Sequence, residues 1–219
     1  MTLQKDSITQ RMIIDNFSKI EKYITFPSSN HFYFIQILRR RKDDENNSQN
    51  VDVKVIRSFY IYSLDEFNKA KQDIIDTCNF FNARAYIWLN PRNCKDIALF
   101  TIQELARYIQ SNNLVRLHRI WNHCTGKLPA SGKKYWIVDV DTKDEKEVKD
   151  IMSSVNVCQS EFAPIIIDKL TTKNGYHLIT HPFNCDQFRA LLFTYDVKFA
   201  EVKKDSPTLL YFNESTCNS

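Results

Sequence analysis

The chain has 219 residues, enough for one sizeable core or for two small lobes packed together, and its 43% apolar and 13% aromatic content excludes a disordered protein. No apolar run approaches the ~20 residues needed to span a bilayer, the N-terminus MTLQKDSITQ lacks a secretory pattern, and the six cysteines include no C-x-x-C pair, against a zinc ribbon, and are too sparse in a chain this long for a disulfide scaffold. Reduced thiols, a cytoplasmic location and no membrane partner are expected; the net charge of +4 permits a nucleic-acid partner without demanding one.

Residues 7–24 carry Ile8, Met12, Ile13, Phe17, Ile20 and Ile24 at helical spacing. The stretch from Pro27 to Asn30 breaks that pattern, and HFYFIQIL (31–38) reads as a strand. The polar stretch 39–50 is expected as a flexible hairpin tip, with its partner strand over 51–62. Ser63 and Glu66 form a capping box ahead of an amphipathic helix that runs to Phe81. ARAYIWLN (83–90) is a strand. A long helical stretch over 96–123 carries a break signal at Ser111-Asn112-Asn113, and 126–132 is a loop with both glycine and proline in it.

The second half alternates more clearly. KKYWIVDVD (133–141) is a strand, 143–155 has a helical rhythm, and 162–172 and 176–183 are strands joined by a Lys173-Asn174-Gly175 turn. A short amphipathic helix (185–193), a strand (197–204), a turn at Asp205-Ser206-Pro207 and a last strand (208–212) follow. The order is β-α-β-β-α-β plus one hairpin strand, the ferredoxin-like or RRM-like arrangement with helices on one face of an antiparallel sheet. The expected class is α/β (α+β), with an N-terminal α/β lobe over 1–130 and an RRM-like lobe over 131–219.

Three features carry chemistry. Asp139 and Asp141 alternate along a strand, so they share a face; two carboxylates that close repel unless something positive sits between them, and a divalent metal does this. The alternative is an apolar strand running out into an acidic loop. Lys173, Asn174, Gly175 and His177 offer backbone amides, a cation and an imidazole within five residues, a set suited to a triphosphate; the alternative is a plain hairpin with His177 packed on the sheet. Glu201 stands among apolar strand neighbours, where a carboxylate is out of place, while Asp205 in the following turn competes with it as a third acid. In a β-α-β-β-α-β sheet the first and third strands are central neighbours, so these features converge on one surface.

At this point the chain resembles the archaeo-eukaryotic primase (primase-polymerase) superfamily. That family carries a D-x-D on a strand, a small-x-His motif after it and a hydrophobic-acid motif on a later strand. Asp139-Val140-Asp141 and Gly175-Tyr176-His177 match the first two; Ala200-Glu201 matches the third loosely, since Asp is usual there. The resemblance implies a two-lobed catalytic core whose acids, Asp139, Asp141 and Glu201, bind Mg²⁺ or Mn²⁺, with His177 on the phosphates of an incoming nucleoside triphosphate. It implies template-directed nucleotidyl transfer, priming or primer extension on single-stranded or primed DNA. A helicase, if needed, would act in trans.

Arg39, Arg40, Arg41, Lys133, Lys134, Lys203 and Lys204 are candidates to meet phosphates, and Arg84 and Arg92 to face a cleft between lobes. Two other functions remain open. A rolling-circle-type replication nuclease would use His177 and His181, which share a strand face. A non-catalytic RRM-like nucleic-acid-binding module would leave the acids unexplained, because an acidic sheet face repels RNA.

Overall fold

In the computed structural model of the chain, which describes residues 12–40, 53–132, 134–195, 197 and 199–214, two antiparallel sheets and six α-helices form a mixed α/β fold. The first half runs β1 (Ile13–Asp15), α1 (Phe17–Glu21), β2 (His31–Arg40), β3 (Val53–Ile61), α2 (Leu64–Phe81), β4 (Arg84–Trp88), β5 (Arg92–Asn93), α3 (Cys94–Gln110), a 3-10 helix (Leu114–Arg119) and α4 (Ile120–Lys127). The second runs β6 (Trp136–Val140), α5 (Glu145–Asn156), β7 (Ile166–Thr171), β8 (Tyr176–Thr180), α6 (Cys185–Thr194), β9 (Ala200–Lys203) and β10 (Pro207–Asn213). Among the described residues no helix is long and apolar enough to cross a membrane.

Helix starts follow local chemistry. Ser63, Asn93, Asp144 and Asn184 each accept hydrogen bonds from the free amides that open α2, α3, α5 and α6. Glu66 completes the expected box with a small shift, accepting at 2.8 Å from the Tyr62 N–H, one residue before the cap.

The second sheet has the order β7-β8-β6-β9, as β-α-β-β-α-β connectivity requires. Val138, Val140 and Leu178 lie on one face beneath α5 and α6, packed with Val148, Ile151, Val155 and Phe188. On the other face Ile137, Leu170 and Ile179 join Ile35, Ile37 and Ile87 of the first sheet and Phe67 and Ile74 of α2 in one cluster. The two sheets therefore share a core.

The last strand departs from the expected hairpin. β10 does not pair with β9 but enters the first sheet, whose order is β1-β10-β4-β2-β3 with β5 on β2. Thr208 to Phe212 are all buried; a segment apolar on both faces needs cover on both, which a place beside the polar edge strand β9 would not supply. The division at residue 130 is thus crossed by β10, which completes the sheet built from the first half.

Three smaller expectations also change. The apolar spacing over 7–24 resolves into a strand at Ile13–Asp15, with Ile14 buried against β10, and the one-turn α1; residues 7–11 lie outside the described residues. The helical stretch over 96–123 is three pieces, broken where Asn112 takes a left-handed conformation (φ 54°) that asparagine tolerates. Gly126 lies inside α4 instead of a loop. Of the expected hairpin tip, Arg39 and Arg40 belong to β2 and the remainder lies outside the described residues, as do Arg41 and Lys133.

Candidate active site

β6, β8 and β9 are neighbours, and their register sets Asp139 opposite His177 on one side and opposite Glu201 on the other. Directly opposed residues share a sheet face, so the three side chains form one transverse row. The placement is forced locally. Val138 and Val140 are fully buried beneath the helices, which turns Asp139 to the other face; a one-residue slip would exchange them. Lys203, two residues beyond Glu201, shares the face.

Positive charge already fills the row. Lys203 Nζ stands 2.5 Å from Asp139 Oδ2 and 3.7 Å from Glu201 Oε2, and His177 Nε2 is 3.2 Å from Asp139 Oδ1. Burial alone would raise the Asp139 pKa, but hydrogen bonds and charge from His177 and Lys203 outweigh it and hold the carboxyl at about 2. Burial likewise opposes the Lys203 charge, and Asp139, with the fields of Glu201 and Asp141, raises its pKa above the ordinary value. His177 is nearly buried, and its Nδ1 lies 2.8 Å from Thr208 Oγ1 on β10. Its ring nitrogens thus face Asp139 on one side and the Thr208 hydroxyl on the other, which fixes the orientation of the ring.

The turn before His177 is built on contact. A Cβ on Gly175 would come 1.9 Å from the Val140 carbonyl oxygen and 2.8 Å from that of Thr142, so only glycine lets the β7–β8 loop lie on the end of β6. The expected turn at Lys173-Asn174-Gly175 joins the antiparallel pair β7 and β8, and Gly175 is not among the positive-φ residues. The loop is closed by Thr172, whose Oγ1 accepts from Gly175 N–H at 3.1 Å and whose own N–H donates to the Gly175 carbonyl at 2.9 Å.

His177 and Asp139 of the row, with Lys203, open into a cleft of about 430 Å³ between the two sheets, while Glu201 is exposed and does not line it. Asp139, Asp141, Lys173, Asn174, His177 and Lys203 line it from the second half; Leu38, Arg40, Arg84 and Tyr86 line it from β2 and β4. Arg40 lies over the Tyr86 ring at 5.1 Å and Arg84 over Phe212 at 4.7 Å, so aromatic faces hold both guanidinium groups at the wall. Lys173 pairs with Glu214 at 2.6 Å and stands over the same Phe212 ring at 5.3 Å, which ties the turn to the end of β10.

Asp205 and Arg92 are committed elsewhere. Asp205 accepts from Arg92 at 2.6 Å, from Asn90 at 2.9 Å and from the Ala130 amide at 2.9 Å. Arg92 is almost wholly buried and does not line the cleft. Asn90 also brackets the Tyr135 backbone, accepting from its N–H and donating to its carbonyl. This network joins the end of β4 to the starts of β6 and β10. Of the two competing third acids, Glu201 is in the row and Asp205 is a structural tie. His181, just past β8, stacks on Phe162 at 4.6 Å and is not a cleft residue.

Sequence reasoning placed Asp139, His177, Glu201 and Arg84 but not Lys203 as the cation between acids, nor Thr208 as the partner of His177. The signal for Thr208 was the apolar run Leu209 to Phe212 that it opens, at whose head a buried hydroxyl must find a bond. Among the described residues no three metal-ligating side chains are closed up on one point. The carboxylates of Asp139, Glu201 and Asp141 all act on the Lys203 ammonium, and the Glu201 side chain is largely exposed. Comparison with known proteins finds no matching family model, no matching curated sequence and no matching solved structure.

Proposed function

We propose that the chain is a metal-dependent nucleotidyltransferase of the primase-polymerase kind, built as a two-lobed core and acting on a single-stranded or primed DNA template. The observation that carries this reading is the His177–Asp139–Glu201 row, set by strand register, whose His177 and Asp139 stand at the wall of a cleft whose far side presents Arg40 and Arg84. Asp139, Asp141 and Glu201 would hold Mg²⁺ or Mn²⁺, displacing Lys203 from between them. The metal would supply charge stabilisation and activation of the attacking hydroxyl.

The chain's own residues account for the remaining requirements. His177, fixed by Thr208, would turn Nε2 from Asp139 to a phosphate oxygen once the carboxylate faces a cation. Lys203, released from the acids, and Arg40 and Arg84 opposite would neutralise the triphosphate. Asn174 lines the cleft beside them, and Gly175 keeps the loop low enough on β6 for His177 to reach the row.

The test is incubation with a primed single-stranded template, Mn²⁺ and labelled nucleotides, with products resolved by length. Chains that lengthen with time, and their loss in Asp139→Asn, are expected. Shortened DNA with a covalent protein adduct would indicate a rolling-circle-type nuclease instead. Binding with neither product would indicate a non-catalytic module.

A further inference from the structure

A second concavity, a groove of about 1010 Å³, opens on the same face of the first sheet as the cleft. Its floor is Gln36 and Ser58, opposed across β2 and β3 and joined by a 3.4 Å hydrogen bond. Its wall is the 3-10 helix and α4. On β2, Gln36 belongs to the groove while Leu38 and Arg40 belong to the cleft, so one strand step of about 7 Å separates them.

The groove is strongly basic. Arg57, Arg116, Arg119 and Lys127 line it with His118 and His123, and among the described residues no carboxylate does. Two acids near it among the described residues are already neutralised: Glu104 is buried between Arg107 at 2.6 Å and Lys127 at 3.1 Å, and Asp73 pairs with Arg57 at 2.7 Å. Arg116 and Arg119 are exposed and have no carboxylate at ion-pairing distance among the described residues; Arg119 donates to His118 Nε2 at 2.9 Å. Uncompensated cations in a concave, low-dielectric wall focus a positive field into the groove. Tyr108 adds a half-buried ring, 6.2 Å from that of His123. Cations interleaved with planar rings are what a single-stranded nucleic acid needs, phosphates on the first and bases on the second.

We propose that this groove is a binding track for single-stranded nucleic acid, with Arg116 and Arg119 meeting phosphates and Tyr108 offering a face to a base. The track leads along β2 into the cleft, and its role as the template path rests on the nucleotidyl-transfer reading. The binding itself rests on the charge and shape of the groove.

The test is fluorescence anisotropy of a labelled 20-nucleotide single strand with the full chain between 50 and 200 mM salt. Wild-type affinity is expected to fall steeply with salt. The double variant Arg116→Ala, Arg119→Ala should bind roughly tenfold more weakly at 50 mM, with the log–log salt slope reduced by about 1.4, two phosphate contacts at ~0.7 each. Equal affinity and slope in the wild type and the arginine variant would overturn the proposal. So would competition by polyglutamate as effective as by unlabelled oligonucleotide, which would mark a site for acidic protein, or equal affinity for a duplex. Loss of oligonucleotide binding in the arginine variant, with no chain synthesis by the wild type, would uphold the track and defeat the transferase reading.

Discussion

Removing the Asp139 carboxylate would leave Lys203 and His177 facing the row without the group that binds both. Two acids alone would repel, and deleting one would relieve the fold; with the Lys203 ammonium between Asp139 and Glu201 and the His177 imidazole on the other side of Asp139, deletion costs stability. Asp139 has a folded pKa of about 2 against an ordinary 3.8. A depressed carboxyl stabilises above its unfolded pKa and loses that contribution as pH falls through its folded one. Asp139→Asn should therefore lower stability at pH 7 by roughly 1–2 kcal/mol, after allowance for solvent screening at the cleft wall. The gap to wild type should close between pH 4 and pH 2 in urea denaturation; a constant gap would mean that the pairing contributes nothing. The two candidate third acids separate by a different measurement. Asp205→Ala leaves the buried Arg92 uncompensated and should cost about 3 kcal/mol or more in stability. Glu201→Ala, at an exposed side chain, should leave the melting temperature near wild type while abolishing chain synthesis. The reverse pattern would move the third ligand to Asp205.

At the scale of elements, the β7–β8 loop and β6 behave as one unit because Gly175 sits on the Val140 and Thr142 carbonyls. Gly175→Ala must push the loop away, at about 1–3 kcal/mol as in other overpacked sites, and shift His177 from the row. The expected result is a lower unfolding midpoint together with weakened Mn²⁺-dependent binding of a fluorescent nucleoside triphosphate; unchanged binding would show that the loop does not position His177. What the sequence made legible has the same local character. Asp139, Asp141 and Glu201 could be placed because alternation along one strand is a property of two or three neighbouring residues, and His177 because it follows a turn. Strand order in the second sheet followed from connectivity. The tie between Asp205 and Arg92, 113 residues apart, has no local signal, and Lys203 could be matched to Asp139 only through the β6–β9 register. The helical spacing over 7–24 misled because a strand of three residues is too short to display its own period against flanking apolar residues.

For the whole molecule, β10 is the element that makes the two sheets one structure. It lies between β1 and β4, contributes Leu210 and Tyr211 to the shared core, and carries Thr208 to His177. A fragment of residues 1–130 lacks the strand between β1 and β4 and exposes the apolar faces that β10 covers. It should show no cooperative unfolding transition, and adding a peptide spanning 205–214 should restore structure only weakly; a well-folded 1–130 fragment by amide exchange would contradict this. Vectorial synthesis gives the same strand a kinetic meaning. The ribosome delivers β1 to β4 early, yet their sheet has a vacancy that only residues 207–213 fill, almost 120 residues after β4 has emerged. The β-α-β-β-α-β unit, whose pairings are all between residues 136 and 203, can form first; the half made first is then the half finished last, and in the interval its open strands are the part of the nascent chain most in need of a chaperone's cover.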